Sequence, residues 1–347
     1  CNFCSEFSER SKYILNPKND SNREKELRDF VARVKKKGKN KEYDCIVGVS
    51  GGVDSSWVLV KAVEMGLRPL AVHMDNGWNS ELAQNNISSL VQKLGIDLHT
   101  HVIDWQEYRE LMECFFLSDV VDVELLYDNA MLAVNYQQSS KYGVKTILGG
   151  TNQVTEGMKM PEEWNQLKLD KRNIKAIAKK FGNVKLKTFP SIGVMSFLWY
   201  EFISKNRWFH FLDMLAFNKQ DALDTLQKDY GYKPYPYKHY ESIFTRFYQG
   251  FILPEKFGID KRRAHFSTLI VSGQMTRGEA CKDLESIPYF SEIELSRDRE
   301  YFLKKMHWDQ AKLDKYINRS PIRHSKYSSE EWFYKYLIKF YKMIKQK

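Results

Sequence analysis

Acidic residues are in deficit, 44 against 54 basic ones, which leaves a net charge of +10 on 347 residues. That balance permits nucleic acid and equally suits nucleotides, anionic sugars or an acidic partner. The charge is dispersed, and its one dense run, Lys35 to Lys41, reads as a solvated linker, so nucleic acid is not the expected partner. Cysteine is scarce: Cys1, Cys4, Cys45, Cys114 and Cys281 are too few for a disulfide framework, and Cys45 falls in a predicted core strand. A reducing cytoplasm is the expected setting. Long apolar runs are lacking too. The best candidate, Ile192 to Ile203, is short and interrupted by Ser196 and Glu201, so no membrane span is expected, and no signal peptide is visible. Repeats and low-complexity tracts are absent. Aromatics are plentiful at 14%, mostly in the C-terminal half.

The most informative stretch begins at a short apolar run, Cys45 to Val49, read as a buried parallel strand. It stops at Ser50-Gly51-Gly52-Val53-Asp54-Ser55-Ser56, and a helical pattern follows over 55–65. Strand, glycine turn and helix aim free backbone N–H groups and a positive helix end at an anion. No Gly-Lys-Ser/Thr closes the loop, so it is not a Walker motif. Beyond an amphipathic helix over 21–36, strands are predicted at 45–49, 70–74, 98–103 and 146–148, alternating with helices at 55–65, 81–94, 105–116 and 128–142. This is an α/β chain with a doubly wound parallel sheet, whose ligands gather at the carboxyl ends of the strands. Those ends carry Val49 to Ser55, His73-Met74-Asp75, and Gly149-Gly150-Thr151. His73 on such a strand is equally read as a satisfied core histidine. Glu156, Lys159 and Lys168 lie in a loop-rich stretch that is read either as a fold over the site or as plain surface; a lysine-rich helix follows at 171–181, and residues around Trp208 and Phe209 read as part of an aromatic, largely helical region.

Ser-Gly-Gly-Val-Asp-Ser resembles the pyrophosphate-binding loop (PP-loop) of the ATP pyrophosphatase superfamily, an adenine nucleotide alpha hydrolase-like fold. The resemblance implies ATP as cosubstrate with Mg²⁺. Val49, Ser50, Gly51, Gly52, Asp54, Ser55, His73, Met74, Gly149, Gly150 and Thr151 would hold the nucleotide, and Asp54 the magnesium. Three segments are expected: 1–20, the remnant of a zinc-binding knuckle; 21–185, a PP-loop ATP-binding domain; and 186–347, a mainly helical domain that binds substrate and caps the site.

A second constellation lies in that last segment. It comprises Lys238-His239-Tyr240-Glu241-Ser242-Ile243-Phe244-Thr245-Arg246-Phe247-Tyr248-Gln249-Gly250, then Lys256-Phe257-Gly258-Ile259-Asp260-Lys261-Arg262, then Ser272-Gly273-Gln274-Met275-Thr276-Arg277. Cationic and hydrogen-bonding groups at this density suit a clamp on phosphates and a hydroxyl-rich ligand. These runs resemble the N-acetyl sugar amidotransferase family of bacterial surface-glycan pathways, including O-antigen and pseudaminic or legionaminic acid synthesis. The resemblance implies conversion of a sugar's acetamido group to an acetamidino group with ATP and ammonia. Candidate catalytic residues are Asp54, Lys238, His239, Glu241, Arg246, Lys261 and Arg262, the cations meeting phosphate or a sugar carboxylate and His239 or Glu241 managing protons. The substrate is expected to be an N-acetylated sugar or nucleotide-sugar. Ammonia is expected from a separate glutaminase, paired with a barrel subunit resembling those of histidine biosynthesis. Homo-oligomerisation is left open.

Cys1-Asn2-Phe3-Cys4 is half of a structural zinc pattern, and family members often begin with two such pairs. Zinc at Cys1 and Cys4 is therefore an expectation that needs a second pair from upstream. Two rival functions carry different signatures. A tRNA-thiolating PP-loop enzyme wants cysteines near the nucleotide, and a non-catalytic nucleotide-binding scaffold releases no AMP.

Overall fold

The computed structural model describes residues 1–15, 20–182, 186–236 and 240–345. Strands β1 (Cys45–Gly48), β2 (Pro69–Asp75), β3 (Leu98–Val102), β4 (Thr146–Gly149) and β5 (Arg207–His210) form one all-parallel sheet in the order β3-β2-β1-β4-β5. Ile46 pairs with Leu70 on one side and with Ile147 on the other, so β1 is the centre. The chain runs outward from β1 to β3, then returns to lay β4 on the opposite flank. That reversal opens a crevice between the ends of β1 and β4, where such sheets bind ligands.

Helices α1 (Asn2–Leu15), α2 (Asp20–Gly38), α3 (Val53–Glu64), α4 (Glu81–Leu94), α5 (Trp105–Leu117) and α6 (Leu125–Lys141) precede β4. Their ends follow the local chemistry. Ser80 Oγ accepts from the Ala83 N–H at 3.2 Å to start α4, and Gly95, at φ 62°, stops it in the left-handed region. Asp104 caps α5 through the Glu107 N–H at 2.8 Å. The sheet's alternation sorts its side chains. Cys45, Val47, Ala71 and Leu148 face α2, α3 and α4, whereas Ile46, Leu70, Val72 and Ile147 face α5 and α6.

Three parts of the chain differ from their sequence reading. Residues 207–210 form an edge strand rather than helix, because four residues are too few to show a period while the free edge of β4 offers a ladder to join. The N-terminal segment is the helix α1, with Phe7 buried and Arg10 donating to the Gly157 carbonyl. The C-terminal helices share the larger core of the sheet: Trp78 meets Phe244 at 5.4 Å and Phe302 at 6.1 Å between ring centroids, and Phe116 meets Trp308 at 5.1 Å.

The same face carries a buried polar knot. His324 donates from Nδ1 to Asn173 Oδ1 (2.7 Å), and its Nε2 accepts from the Asp122 N–H (3.3 Å), which defines a neutral ring. Burial pushes His324 down to about 4, only partly offset by Asp122. With an unfolded value near 6.5, the neutral form stabilises the fold fully above about pH 6.5, and that contribution is lost as pH falls through about 4. Thermal melts between about pH 7 and 4 should record the loss, roughly 3 kcal/mol at most, and His324→Gln should flatten the profile.

Candidate active site

The loop after β1 turns in two residues. The Val49 N–H donates to the Val72 carbonyl at 2.9 Å, keeping the strand paired to its last residue. Gly51 then takes φ 84°, where an added Cβ would lie 2.9 Å from the Ala83 carbonyl oxygen. That position requires glycine. Gly52 is the N-cap of α3 and supplies no side-chain cap, so the first N–H groups of the helix face outward. Two hydroxyls stitch the turn. Ser55 Oγ accepts from the Ser50 N–H and donates to the Gly52 carbonyl, both at 3.2 Å, and Ser50 Oγ accepts from the Gly52 N–H at 3.3 Å. From the C-terminal half, Tyr232 and Tyr235 both donate to the Gly51 carbonyl, at 3.0 and 3.1 Å.

The end of β4 closes on this loop. A Cβ on Gly150 would sit 3.0 Å from Ser55 N, and one on Gly149 would run into the Trp208 indole. Asn152 and Thr155, just beyond, donate to Asp54 Oδ2 at 3.4 and 3.3 Å. They orient the carboxylate at the first turn of α3.

Two cavities adjoin above the loop. The smaller, about 360 Å³, is lined by Val49, Ser50, Gly52, Asp54, Ser55, Met74, Gly149, Gly150 and Thr151, nine of the eleven residues expected to hold a nucleotide. Gly51 shapes the turn without lining it. His73 lies behind the strand end, bonded through Nδ1 to the Val49 carbonyl and through Nε2 to Asn79, both at 2.9 Å, so it is a strut. The larger cavity, about 730 Å³, is lined by Glu241, Arg246, Lys261 and Arg262 among others. Glu241 also lines the smaller one, together with Ser50, Thr151, Glu156 and Lys219. Lys238 and His239 lie outside the described residues. Glu156 and Lys168 do reach the cavities, while Lys159 is exposed elsewhere. Among the described residues, none of the Ser272–Arg277 run lines either cavity; Thr276 instead forms a capping box with Glu279.

Most cations of the larger cavity are already neutralised. Arg246 forks onto Asp298 and approaches Glu294 at 3.6 Å; Arg262 grips Asp260 at 2.8 Å; Lys261 meets Glu124 at 2.6 Å. Gln249, on a π-helical turn over Tyr248–Ile252, donates to both oxygens of the same Glu124. Lys168 bridges Asp122 (2.7 Å) and Asp128 (2.9 Å). Burial opposes the Lys168 charge, yet the two carboxylates outweigh it and raise its pKa, whereas Asp128 is raised by its burial. Lys219 is different: half-buried at the start of a helix (Lys219–Tyr230) and lining both cavities, it pairs with no carboxylate among the described residues. Sequence reasoning missed it because it sits in no motif; the only local signal was Asn218, which caps that helix.

The metal expectations divide. Cys1 and Cys4 are one helical turn apart, Sγ to Sγ 3.4 Å, and among the described residues no group of three His, Cys, Asp or Glu is placed to hold a metal. Two thiolates supply half of the ligands of a tetrahedral zinc, so the described residues do not complete such a site and give the zinc expectation no support. Magnesium makes a smaller demand, one or two carboxylates plus phosphate oxygens, which Asp54 beside the loop fits. No cysteine lines either cavity among the described residues. Cys45 and Cys114 are buried, which pushes the Cys114 thiol up to about 11 and Cys45 higher still.

Gly150→Ala should therefore cost far more than its size suggests. The new methyl presses on the backbone of Asp54 and Ser55, and ATP affinity measured by calorimetry should fall about tenfold or more, with the melting temperature little changed.

Residues 24–158 match the family model described as NAD synthase, and residues 241–344 match that of the LPS biosynthesis protein WbpG-like, C-terminal domain. Two solved structures are similar at low identity. An NH3-dependent NAD synthetase from Campylobacter jejuni subsp. jejuni NCTC 11168, in complex with the nitrate ion, is 18% identical over 46% of this chain and 72% of its own, with a TM-score of 0.31. NMN synthetase from Francisella tularensis is 13% identical over 80% of this chain and 96% of its own, with a TM-score of 0.39. A search of curated proteins returned no match. The two family matches lie on either side of one pair of cavities, so the chain joins an NAD synthase-like PP-loop region to a C-terminal region like that of the WbpG-like lipopolysaccharide-biosynthesis proteins.

Proposed function

We propose that this chain is an ATP-dependent amidotransferase of the C–N ligase type. It would convert the acetamido group of an N-acetylated sugar to an acetamidino group for lipopolysaccharide or a related surface glycan. The observation that carries the reading is the junction of the two cavities. A glycine loop fit for pyrophosphate forms one side, and a larger chamber walled by the WbpG-like region forms the other, with Ser50, Thr151, Glu156, Lys219 and Glu241 common to both.

An amide is a poor electrophile with a poor leaving group, so the oxygen must be activated before nitrogen can replace it. The amide oxygen attacks the α-phosphorus of ATP, pyrophosphate departs, and ammonia then adds to the imidate carbon and expels AMP. Each step has a candidate residue at the cavities. Backbone N–H groups of the first turn of α3 receive the β,γ-phosphates, and the Gly52 N–H and the Ser50 and Ser55 hydroxyls exchange their bonds within the turn for the same oxygens. Asp54, held by Asn152 and Thr155, would carry Mg²⁺, which when bound supplies charge neutralisation to the phosphates. Lys219, at the junction and without a carboxylate partner among the described residues, meets the negative charge that develops on the phosphate. Glu241 takes the proton that ammonia sheds on attack. The paired cations Arg246, Lys261 and Arg262 act as walls that hold hydrogen-bonding surface in place for a sugar, and Lys238 and His239 remain candidates for phosphate and proton handling. Ammonia would come from a separate glutaminase in the cytoplasm.

The assay is AMP release with ATP, ammonium and candidate sugars, followed by mass spectrometry for the replacement of O by NH. Asp54→Ala should abolish sugar-dependent AMP formation, and undiminished release would reject the loop assignment. Lys219→Ala should lower kcat about 100- to 1,000-fold while raising the KM for ATP much less. Free ammonium at high concentration should replace glutamine; activity that demands glutamine itself would count against an external ammonia source. AMP formation driven by tRNA instead of sugar would transfer the chain to the thiolating enzymes.

A further inference from the structure

Two helices begin from one point on the face beside the larger core. A short helix, Val194–Leu198, continues into a π-helical turn, Trp199–Ile203, and the C-terminal helix spans Glu331–Lys345. Glu330 joins their starts: its Oε2 accepts from the Val194 N–H at 3.2 Å and lies 2.8 Å from where a Cβ on Gly193 would be. Each element buries one side in the core, through Phe197, Leu198 and Tyr200 in the first and Phe333, Tyr334 and Leu337 in the second.

Their other sides are bare. Met195, Trp199, Phe202 and Ile203, and then Trp332, Tyr336, Phe340 and Met343, are between 48% and 70% exposed. The second set recurs at helical spacing and forms one stripe. A protein surface rarely leaves a stripe of four large apolar side chains on one helix without a partner.

The setting of these residues indicates the kind of partner. Lys335, Lys339 and Lys342 flank the C-terminal stripe and are exposed, as are Lys205 and Arg207 beside Ile203. Lys171 and Arg172 bear on Glu330 from the neighbouring helix, and Lys171 also feels Lys175. The nearby acids are largely met: Lys335 pairs with Glu162 at 3.2 Å and with Glu331 at 2.8 Å. Lys335 is spent on those two glutamates, and among the described residues Lys339, Lys342, Lys205 and Arg207 carry no ion pair and leave positive charge beside the exposed apolar side chains. Protein interfaces are depleted of lysine, whereas helices that lie on membranes combine Trp and Phe with lysines, and Trp and Tyr favour the headgroup level. No helix of the described residues is long and apolar enough to cross a membrane.

We propose that the C-terminal helix docks on an anionic lipid bilayer through its exposed stripe, with Trp332, Tyr336 and Phe340 inserted at the headgroup level and Lys339 and Lys342 against lipid phosphates. Docking would set the bilayer alongside the larger cavity, because Glu162, the partner of Lys335, lies between Met160 and Asn165 of the cavity lining.

The test is co-sedimentation of the full chain with phosphatidylcholine vesicles, with and without phosphatidylglycerol. Binding is expected only with the anionic lipid, and it should weaken as salt rises from about 0.1 to 0.5 M. The paired variants W332S/F340S and K339E/K342E should each reduce the bound fraction about tenfold or more. Because all four side chains are exposed, the melting curves should match the parent's. Absence of binding to anionic vesicles overturns the proposal, as does binding that both variants leave unchanged. If W332S/F340S instead dissociates a dimer in sedimentation equilibrium and the parent ignores vesicles, the face belongs to a second copy of the chain.

Discussion

The nucleotide-sized cavity depends on one close approach: the end of β4, at Gly150, lies 3.0 Å by its missing Cβ from the backbone at the start of α3. With no side chain between them, the positive end of α3, the Ser50–Ser55 hydroxyls and the Gly149–Thr151 backbone all border the same space. This is possible only because β4 sits beside β1, the reversal point of the sheet. The tyrosine pair Tyr232 and Tyr235 adds a tie from the opposite direction, binding the C-terminal half to the Gly51 carbonyl. Burial raises the pKa of both hydroxyls, so they stay protonated donors across the physiological range.

The larger cavity is built on a different principle. Its charges are paired in advance, Arg246 with Asp298, Lys261 with Glu124, Lys168 with Asp122 and Asp128. Half-buried ions held this way present fixed dipoles rather than free charge, which suits a neutral, hydroxyl-rich ligand better than a second polyphosphate. Lys219 breaks the pattern at the junction, where the chemistry would bring negative charge. The rigidity of this wall comes from the aromatic core behind it, because Phe244 and Phe247 of the cavity helix pack against Phe302 and Trp78.

Particular residues show how far the sequence could be read. The strand–turn–helix at Cys45–Glu64 was legible because an apolar run, paired glycines and a helical stripe succeed each other with no competing pattern. Residues 207–210 were not, since the aromatic spacing around them suits a helix and only the edge of β4 selects a strand. The WbpG-like motif was legible as a composition of cations, but its local pattern could not reveal that Arg246 is spent on a carboxylate, because Asp298 comes from a separate helix, whereas the partner of Arg262, Asp260, lies two residues away in the same run. Nor could it show that Ser272–Arg277 lies away from both cavities.

The sequence by itself determined the α/β class, the strand–glycine turn–helix that follows β1 and the location of both constellations, since glycine conformations and hydrophobic periods act over a few neighbouring residues. Tertiary structure alone decided which charged groups face the cavities unpaired, that Lys219 stands at their junction, that the C-terminal helices share the sheet's core, and that the helices after Gly193 and Glu330 leave apolar stripes uncovered. Those outcomes rest on contacts between segments far apart in the chain, which no local pattern encodes.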